Sequence, residues 1–281
     1  MTWQLLARRT MPLKEFDLTG KVAVVIGGGR GIGKSIALTL AEVGADILVA
    51  ARTKEQIEQT ASEIKGLGRK SIAVLADATN AVDLDKMVET AISEWGRIDI
   101  LVNSAGVGSR KPIVPLPDYK PAWAEAVKDF FSPTSDEEWH YMVDANLTTI
   151  FLATRAVGPY MIQQNKGKVI NITSMTGAKG LAYQAVYCTT KAAVSMYTRA
   201  LALEWARYNI NVNAIGPGYV ATEMTAMFFE NEAVRDKLLS SVPLGRLCSP
   251  REIGLLAVYL VSEASDYLTG QTIYIDGGIL A

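Results

Sequence analysis

The sequence has very little of the residues on which several chemistries depend. It contains one histidine, His140, and two cysteines, Cys188 and Cys248, among 281 residues. A single histidine cannot build a multi-histidine metal site, and two cysteines cannot build a disulfide framework or a zinc cluster. We therefore expect no metal ion, a reducing cytoplasmic location and ordinary packing or surface roles for these three residues.

An excess of charge of one sign and long apolar runs are also missing. The net charge is −1, from 28 basic and 29 acidic residues that are dispersed along the chain, so we expect no nucleic-acid partner. No apolar run reaches the roughly 18 residues that a membrane span requires. The first ten residues, MTWQLLARRT, lack the apolar core of a secretory signal, and we interpret residues 1–17 as an N-terminal extension.

Short apolar runs alternate with helical patterns along the whole chain. The strand-like runs lie at 21–26, 46–51, 71–76, 98–103, 167–173, 210–215 and 271–275. Helix formers fill the segments between them, and no linker-like tract interrupts the alternation. This pattern predicts an α/β fold, a single-domain Rossmann fold over residues 18–281. Its sheet would be doubly wound, parallel and seven-stranded, with helices on both faces.

A glycine-rich turn follows the first of these runs. The run KVAVVI ends at Ile26 and leads into GGGRGIG, from Gly27 to Gly33, before the helix formers begin. Glycines let the backbone come close to a pyrophosphate at a helix N-terminus, where free amides and the helix dipole face the anion. The placement between strand and helix favours a dinucleotide site, with a simple tight connection as the alternative.

The end of the second run predicts which dinucleotide binds. An acidic residue there would hold the ribose 2′-hydroxyl of NAD, but the chain has Ala50, Ala51, Arg52 and Thr53. Arg52 and Arg30 are expected to flank a 2′-phosphate, because guanidinium groups make paired hydrogen bonds to phosphate oxygens. We therefore predict NADP(H) in preference to NAD(H). The alternative is that both arginines are solvated surface charges.

A tyrosine and a lysine form a candidate proton-transfer pair. Tyr187 and Lys191 stand four residues apart among helix formers, a spacing that places both side chains on one helix face. An ammonium beside a phenol is expected to lower the tyrosine pKa from about 10, so that the phenol exchanges a proton with an alcohol or ketone. Ser174, just past the run KVINIT, would hold the same substrate oxygen. A surface lysine near a half-buried tyrosine has the same spacing.

These motifs, in their order, resemble the single-domain short-chain dehydrogenases/reductases, in a form like the 3-oxoacyl-(acyl-carrier-protein) reductases, over roughly 18–278. Further matching motifs are NSAG at 103–106, Asn146 in DANL, Ser174 in NITS, the Pro217–Gly218 pair, and the closing DGG. The resemblance implies an NADP-dependent oxidoreductase that interconverts C=O and CH–OH groups in a small-molecule substrate. It also implies a homotetramer, or otherwise a homodimer, for which the candidate apolar positions are Ile150, Leu152, Val157, Met196, Leu201 and Trp205.

The resemblance further implies roles for individual residues. Tyr187 would be the general acid/base, Ser174 would orient the substrate carbonyl, Lys191 would bind the nicotinamide ribose, and Asn146 would hold a water that links Lys191 to solvent. The expected cofactor-binding residues are Gly27, Gly29, Arg30, Gly31, Ile32, Gly33, Arg52, Thr53, Asp77, Ala78, Asn103, Ser104, Ala105, Gly106, Tyr187, Lys191, Pro217, Gly218, Val220 and Thr222.

A long segment at about 107–134 departs from the family's usual spacing. It carries five prolines, counted through Pro133, and apolar residues at helical spacing, namely Trp123, Val127, Phe130 and Phe131. Loops of this length inside a compact domain are usually functional or disordered. We expect a flap over the substrate pocket or a subunit contact, with a passive surface insertion as the alternative.

The expected substrate lid, about 219–247, contains several apolar side chains. An apolar-walled pocket is indicated by Tyr183 and Met175 together with the lid residues Met224, Met227, Phe228 and Phe229. Such a wall favours a 3-oxoacyl thioester or another apolar ketone, with a sugar or polyol as the alternative; the same residues would also fit ordinary packing. A catalytically dead NADP-binding protein is a further alternative, but the complete set of candidate catalytic residues argues against it.

Overall fold

The computed structural model describes residues 13–117, 124, 131–226 and 232–281. The predicted N-terminal extension up to residue 12 lies outside the described residues. So do Trp123, Val127 and Phe130 of the expected insertion helix, and Met227, Phe228 and Phe229 of the expected lid, as does the side chain of Met224.

Seven parallel strands form one sheet. They are β1 (Val22–Ile26), β2 (Asp46–Ala51), β3 (Ser71–Leu75), β4 (Ile100–Asn103), β5 (Gly167–Ile172), β6 (Ile210–Pro217) and β7 (Thr272–Ile275). Their order in the sheet is β3-β2-β1-β4-β5-β6-β7, and every neighbouring pair is parallel. The seven predicted runs agree with these strands to within two residues at each end. The long valine and isoleucine runs arise because a parallel sheet is buried on both faces.

Nine helices are described. They are α1 (Gly31–Glu42), α2 (Lys54–Gly66), α3 (Ala81–Trp95), α4 (Asp136–Val143), α5 (Thr149–Gln164), α6 (Ala185–Trp205), α7 (Glu223–Ala226), α8 (Glu232–Ser240) and α9 (Pro250–Val261). One apolar core lies between the sheet and α1 and α9, and a second lies between the opposite face and α3, α5 and α6. The predicted doubly wound α/β fold is confirmed. Among the described helices, none combines the length and apolarity needed to cross a membrane.

Most of the positions suggested for a subunit interface belong to the interior of this chain. Ile150, Val157 and Leu201 are buried, and Leu152 and Trp205 pack against the core on the α5 and α6 side. Of the six suggested residues only Met196 is well exposed, with 60% of its surface accessible. The helical periodicity of these apolar residues therefore reflects the packing of α5 and α6 into the core. The apolar surface that α5 and α6 do expose is built from other residues as well, Phe151 and Leu203.

The strand order places a crevice at one edge of the sheet. The chain proceeds outward from β1 to β3 on one side and from β4 to β7 on the other. Open α/β sheets bind ligands at such a switch point, outside the carboxyl ends of the strands. The glycine turn follows β1, and the NSAG segment follows β4, so both lie at that edge.

Candidate active site

The glycine turn is packed tightly against its own backbone and against the segment after β4. Gly27 has φ +77°, and a Cβ at this position would lie 2.6 Å from the Ala105 backbone nitrogen. A Cβ at Gly33 would lie 2.2 Å from the Gly27 carbonyl oxygen. Arg30 precedes α1 without a side-chain cap, and the first turn of α1 contains no acidic residue. The backbone amides at this N-terminus therefore suit an anion such as a pyrophosphate.

The remaining predicted residues of the adenosine side lie around the ends of β2 and β3. A Cβ at Gly29 would lie 3.0 Å from Gln56 of α2, and Thr53 immediately precedes that helix. Ile32 and Ala78 pack against the two cores. Hydrogen bonds from Thr79, with a smaller contribution from the Arg52 charge, hold the pKa of Asp77 below its usual value. These positions form one side of the crevice.

The two arginines predicted to flank a phosphate differ in their surroundings. The Arg30 Nη1 atom lies 3.0 Å from Glu223 Oε2, at the start of α7. Both side chains are well exposed, so this ion pair contributes little to stability. Arg52 follows the last residue of β2, where the sequence has no acidic residue. Arg30 therefore connects the glycine turn to the start of α7, and Arg52 lies where the sequence argument expects the adenosine ribose of a dinucleotide.

Asn103 anchors the segment that follows β4. Its Nδ2 donates to Asn171 Oδ1 at 2.8 Å, and Asn171 Nδ2 donates to Thr198 Oγ1 on α6 at 2.9 Å. The next residue, Ser104, donates its backbone N–H to the Ile26 carbonyl at 2.9 Å. Within the described residues, the buried Asn103 Oδ1 has no hydrogen-bond partner. A buried acceptor without a partner is available to a donor from a ligand.

A π-helical turn, Asp144–Thr148, joins α4 to α5 and carries Asn146. Such turns occur mostly at functional sites. Asn146 Oδ1 accepts from the Val107 N–H at 2.8 Å, and its Nδ2 donates to the Val107 carbonyl at 3.0 Å. The same Nδ2 also lies 3.2 Å from Thr190 Oγ1 and 3.0 Å from Met142 Sδ. Asn146 thus fastens the segment after β4 to α4 and α6.

Ser174 and Tyr187 come together at the carboxyl end of β5. Ser174 is buried at the start of a 3-10 turn, Met175–Gly177, where its Oγ accepts from the Thr176 N–H at 3.1 Å. Its hydroxyl also lies close enough to the Tyr187 phenol to lower the pKa of that phenol. Tyr187 lies in the first turn of α6 and is half-buried. The predicted pairing of these two hydroxyl groups is therefore present.

Lys191 lies under Tyr187 in the interior. Its Nζ is 5.8 Å from the centroid of the Tyr187 ring, and it donates to the Ile172 carbonyl, the last of β5, at 3.0 Å. A Cβ at Gly106 would lie 3.3 Å from this Nζ and 2.8 Å from Asn146 Oδ1. The NSAG segment, Asn146 and Lys191 therefore meet at one point, as the order of motifs predicted.

The expected effect of Lys191 on the tyrosine is not present in this structure. Burial raises the pKa of Tyr187 above its usual value, and the Ser174 hydrogen bond opposes this only in part. Burial also lowers the pKa of Lys191 to about 8. The prediction of a lowered Tyr187 pKa was wrong because it counted the neighbouring charge and not desolvation, which disfavours the phenolate and the ammonium alike.

The residues predicted for the nicotinamide end border the same crevice. Pro217 ends β6, and a Cβ at Gly218 would lie 2.7 Å from the Asp276 Cα. Val220 is buried, and Ala221 donates its N–H to the Cys248 carbonyl at 2.9 Å. The Thr222 methyl group approaches the Gly31 position to 3.6 Å. The start of the expected lid therefore lies against the glycine turn.

A small cleft opens beside the Tyr187 ring. Its lining includes Met142 and Val186, but also the polar residues Ser109, Lys111, Thr134, Glu138, Tyr183 and Gln184. Tyr183 has φ +66°, a strained value for a residue with a side chain, and its carbonyl accepts from the Lys111 N–H at 2.8 Å. Met175 is buried and does not line this cleft, whereas the side chains of the lid residues expected for an apolar wall lie outside the described residues, so that expectation stays a prediction.

Several residues of this site gave no sequence pattern that identified them. Met142 and Thr190 contact Asn146 only because the π-helical turn and α6 pack together. Lys111 and Glu138 meet across 27 residues of sequence. Asn171 was detectable in principle, since an amide inside the buried run KVINI requires a hydrogen-bond partner.

Comparison with known proteins agrees with this geometry. A family model described as enoyl-(acyl carrier protein) reductase matches residues 27–280. A 2-dehydro-3-deoxy-D-gluconate 5-dehydrogenase from Dickeya dadantii is 36% identical over 274 residues, which cover 96% of this chain and 100% of that protein. A 3-oxoacyl-(acyl-carrier-protein) reductase from Thermotoga maritima is 34% identical over 263 residues, which cover 94% and 99%.

Solved structures show the same fold at similar identity. A short-chain type dehydrogenase/reductase from Mycobacterium marinum superposes with a TM-score of 0.84 at 35% identity, covering 95% of this chain and 98% of the other. A gluconate 5-dehydrogenase from Burkholderia cenocepacia, solved with NADP and tartrate, has a TM-score of 0.82 at 33% identity and coverage of 95% and 97%. The chain belongs to the short-chain dehydrogenase/reductase family of oxidoreductases.

Proposed function

We propose that this protein is an NADP(H)-dependent carbonyl reductase and secondary-alcohol dehydrogenase in which Tyr187 is the general acid/base. The observation that carries the proposal is the meeting of Ser174, Tyr187 and Lys191 at the carboxyl edge of the sheet, beside the glycine turn. The relatives named above are oxidoreductases of CH–OH and C=O groups, which supports this reaction class.

When bound, the nicotinamide cofactor supplies or accepts the hydride at the substrate carbon. The chain contributes the proton. In reduction, the Ser174 hydroxyl holds the carbonyl oxygen, and the Tyr187 Oη–H gives its proton to that oxygen, so that a secondary alcohol results. In oxidation, the hydroxyl oxygen of the alcohol gives its proton back to the Tyr187 phenolate, and the carbonyl is formed again. The raised pKa keeps the phenol protonated at neutral pH, the form required for reduction.

Lys191 has donors available beyond its one backbone acceptor. An ammonium carries three N–H groups, and the Ile172 carbonyl accepts one of them. We propose that the others bind the nicotinamide ribose. Asn146 holds the segment containing Gly106 over this ammonium through its two bonds to Val107. The proposed water between Asn146 and Lys191 stays a prediction.

The primary test is a Tyr187→Phe variant assayed by NADPH oxidation with a range of ketones. Loss of the proton donor should lower kcat by about a thousandfold, the usual scale of general acid catalysis. NADPH binding, measured by fluorescence, should change little. Tyr141→Phe is a matched control, because its side chain is exposed on α4 and should leave kcat unaltered. Full turnover by Tyr187→Phe would disprove the proposal.

The preference for NADP(H) is proposed on the basis of Arg52 and the missing acid at the end of β2. The bound NADP in the Burkholderia structure supports this choice. An Arg52→Asp variant should lower kcat/KM for NADPH about tenfold or more, since one charge-assisted phosphate contact is lost. Lys86→Asp applies the same change of charge to α3 and should have no such effect. An unaltered NADPH-to-NADH ratio in Arg52→Asp would count against the assignment.

Self-association is proposed for the exposed faces of α5 and α6. Phe151, Met196 and Leu203 keep 45%, 60% and 83% of their surfaces exposed. Met196 and Leu203 are seven residues apart and so lie on one face of α6, and exposed apolar side chains on one face are typical of an interface. We propose a homotetramer or homodimer through these helices. Light scattering should give a mass of two or four chains, and Leu203→Glu with Met196→Glu should reduce it to one.

A further inference from the structure

The cleft beside Tyr187 contains a partly buried ion pair. Lys111 Nζ lies 2.5 Å from Glu138 Oε1, and the Lys111 side chain keeps only 12% of its surface exposed, against 42% for Glu138. Lys111 Nζ also reaches Ser132 Oγ at 3.3 Å. Both charged residues line the same cleft as the Tyr187 ring. The pair and the Tyr187 ring therefore share one cleft.

Both partners are held in place by backbone contacts. The Lys111 N–H donates to the Tyr183 carbonyl at 2.8 Å, four residues before Tyr187. Glu138 Oε2 accepts from the Ser135 N–H at 3.0 Å and closes a capping box at the start of α4. The pair is consequently a fixed part of the wall. The Glu138 carboxylate cannot turn away without breaking the capping box, and the backbone position of Lys111 is fixed beside it.

The chemistry of the pair discriminates between substrates. A hydrocarbon chain placed against it would remove water from both charges and return no hydrogen bond, a cost of several kcal/mol. Hydroxyl groups replace that water, since each is both a donor and an acceptor. The neighbouring Ser109, Thr134 and Gln184 offer more partners of the same kind. Sites built to hydrogen-bond a hydroxyl reject analogues without it strongly.

We infer that the substrate is a polyhydroxylated carbonyl compound of sugar size, whose hydroxyl groups distal to the reacting carbon bind the Lys111–Glu138 pair. This inference rests on the proposed function and gives it a substrate class. It favours the sugar-type substrate over the 3-oxoacyl thioester that the apolar lid residues suggested. Lys111 and Glu138 are then the residues that determine specificity, and the first of them belongs to the long segment after β4.

The test compares two groups of ketones with NADPH. The hydroxylated group is 5-keto-D-gluconate, 2-keto-D-gluconate and D-fructose, and the hydroxyl-free group is acetoacetyl-CoA and cyclohexanone. The best hydroxylated ketone should exceed the best hydroxyl-free one about 100-fold in kcat/KM. A higher kcat/KM for acetoacetyl-CoA or cyclohexanone would overturn the inference and leave the proposed function standing. No turnover of any ketone would overturn both.

Two variants test whether the Lys111–Glu138 pair causes the preference for hydroxylated ketones. Lys111→Met and Glu138→Gln should each lower kcat/KM for the best hydroxylated ketone about tenfold, mainly by raising KM. Glutamine still serves a capping box, so Glu138→Gln keeps the start of α4 intact. The loss with cyclohexanone should be several times smaller. Lys86→Met, on α3, should change neither rate. Equal losses for both groups of ketones would show a general structural role and contradict the inference.

Discussion

Buried charges at the amino end of the sheet are paired with opposite charges, whereas a buried lysine at the carboxyl end is not, within the described part of the chain. At the amino end, Asp99 accepts from the Val22 N–H at 2.9 Å and from Arg97 Nε at 2.8 Å. Lys168, second in β5, lies 2.7 Å from Asp266. At the carboxyl end of the same strand, Lys191 donates to the Ile172 carbonyl and has no carboxylate partner within the described part of the chain. Burial lowers the pKa of both lysines, but only for Lys168 does a carboxylate, that of Asp266, oppose it.

The amino end of the sheet therefore contributes to stability, and the carboxyl end carries the proposed site. Paired charges at the amino end offset the cost of leaving water. At the carboxyl end the Lys191 ammonium is desolvated and, among the described residues, has no carboxylate partner. A costly charge of this kind persists where a ligand completes it. Changes at the two ends should therefore have separable consequences, which four experiments examine.

The largest effect is expected for Lys191→Met. Loss of the ammonium should lower kcat about a thousandfold, if it holds the cofactor and the tyrosine as proposed. The same change should raise stability by about 3 kcal/mol at neutral pH, because a buried lysine whose pKa falls from 10.5 to about 8 is costly when charged. Thermal unfolding and NADPH oxidation measure the two quantities. If Lys191→Met lowered both stability and activity, the two ends of the sheet would not differ in the way proposed.

Asp99→Ala should have the reverse consequence at the amino end. It leaves the Val22 N–H and the Arg97 guanidinium without their acceptor, at a cost of about 3 kcal/mol. Urea unfolding should show this loss. The kcat of the remaining folded protein should stay at the wild-type value, and a large fall in kcat would mean that the two ends are coupled.

The rate of reduction should depend on pH through Lys191. Its ammonium is present below pH 8 and is lost as the pH rises through about 8. We expect kcat to fall about tenfold per pH unit above that value, as for any single essential proton. Stability should change in the opposite direction. The unfolded chain keeps this proton up to about pH 10.5, whereas the folded chain loses it above about pH 8. The free energy of unfolding should therefore rise between about pH 8 and 10.5. A profile flat to pH 10 would contradict this assignment.

The smallest effect is expected for Lys168→Met. Asp266 is half exposed and stays hydrated when its partner is removed, while methionine fills the space of the lysine stem. Stability should change by no more than about 1 kcal/mol, and kcat should not change. This variant is the matched control for Lys191→Met, since both replace a buried lysine. A large loss of activity would show that burial alone, and not position in the sheet, governs the result.

The fold could be predicted from the sequence because its signals are local. Each buried run, such as VAVVI of β1, is a continuous β-branched stretch between turns, and parallel sheets require such strands. The glycine turn was detectable for a similar reason, because its positive φ at Gly27 and its close backbone contacts admit only glycine. Both the β-branched runs and the glycine turn can be identified from a short stretch of sequence.

The features of the site that were not predicted from the sequence depend on contacts between residues far apart in the chain. The Arg30–Glu223 and Lys111–Glu138 pairs join residues far apart in the chain. The Tyr187 pKa depends on how deeply α6 is buried, which the four-residue spacing to Lys191 does not indicate. The suggested interface at Ile150 and Val157 was wrong because periodicity is the same for a core face and an outer face.

The π-helical turn at Asp144–Thr148 has a consequence for how this enzyme can change over generations. An α-helix turns by about 100° per residue, so losing one residue here would rotate α4 by that angle relative to α5. Glu138 and Met142 would leave the cleft, while α5 would keep its place on the sheet. A single codon gained or lost in this turn would therefore change the wall of the cleft, but it would also shift Asn146 and its two hydrogen bonds to Val107, so the cleft and the support beside Lys191 would change together.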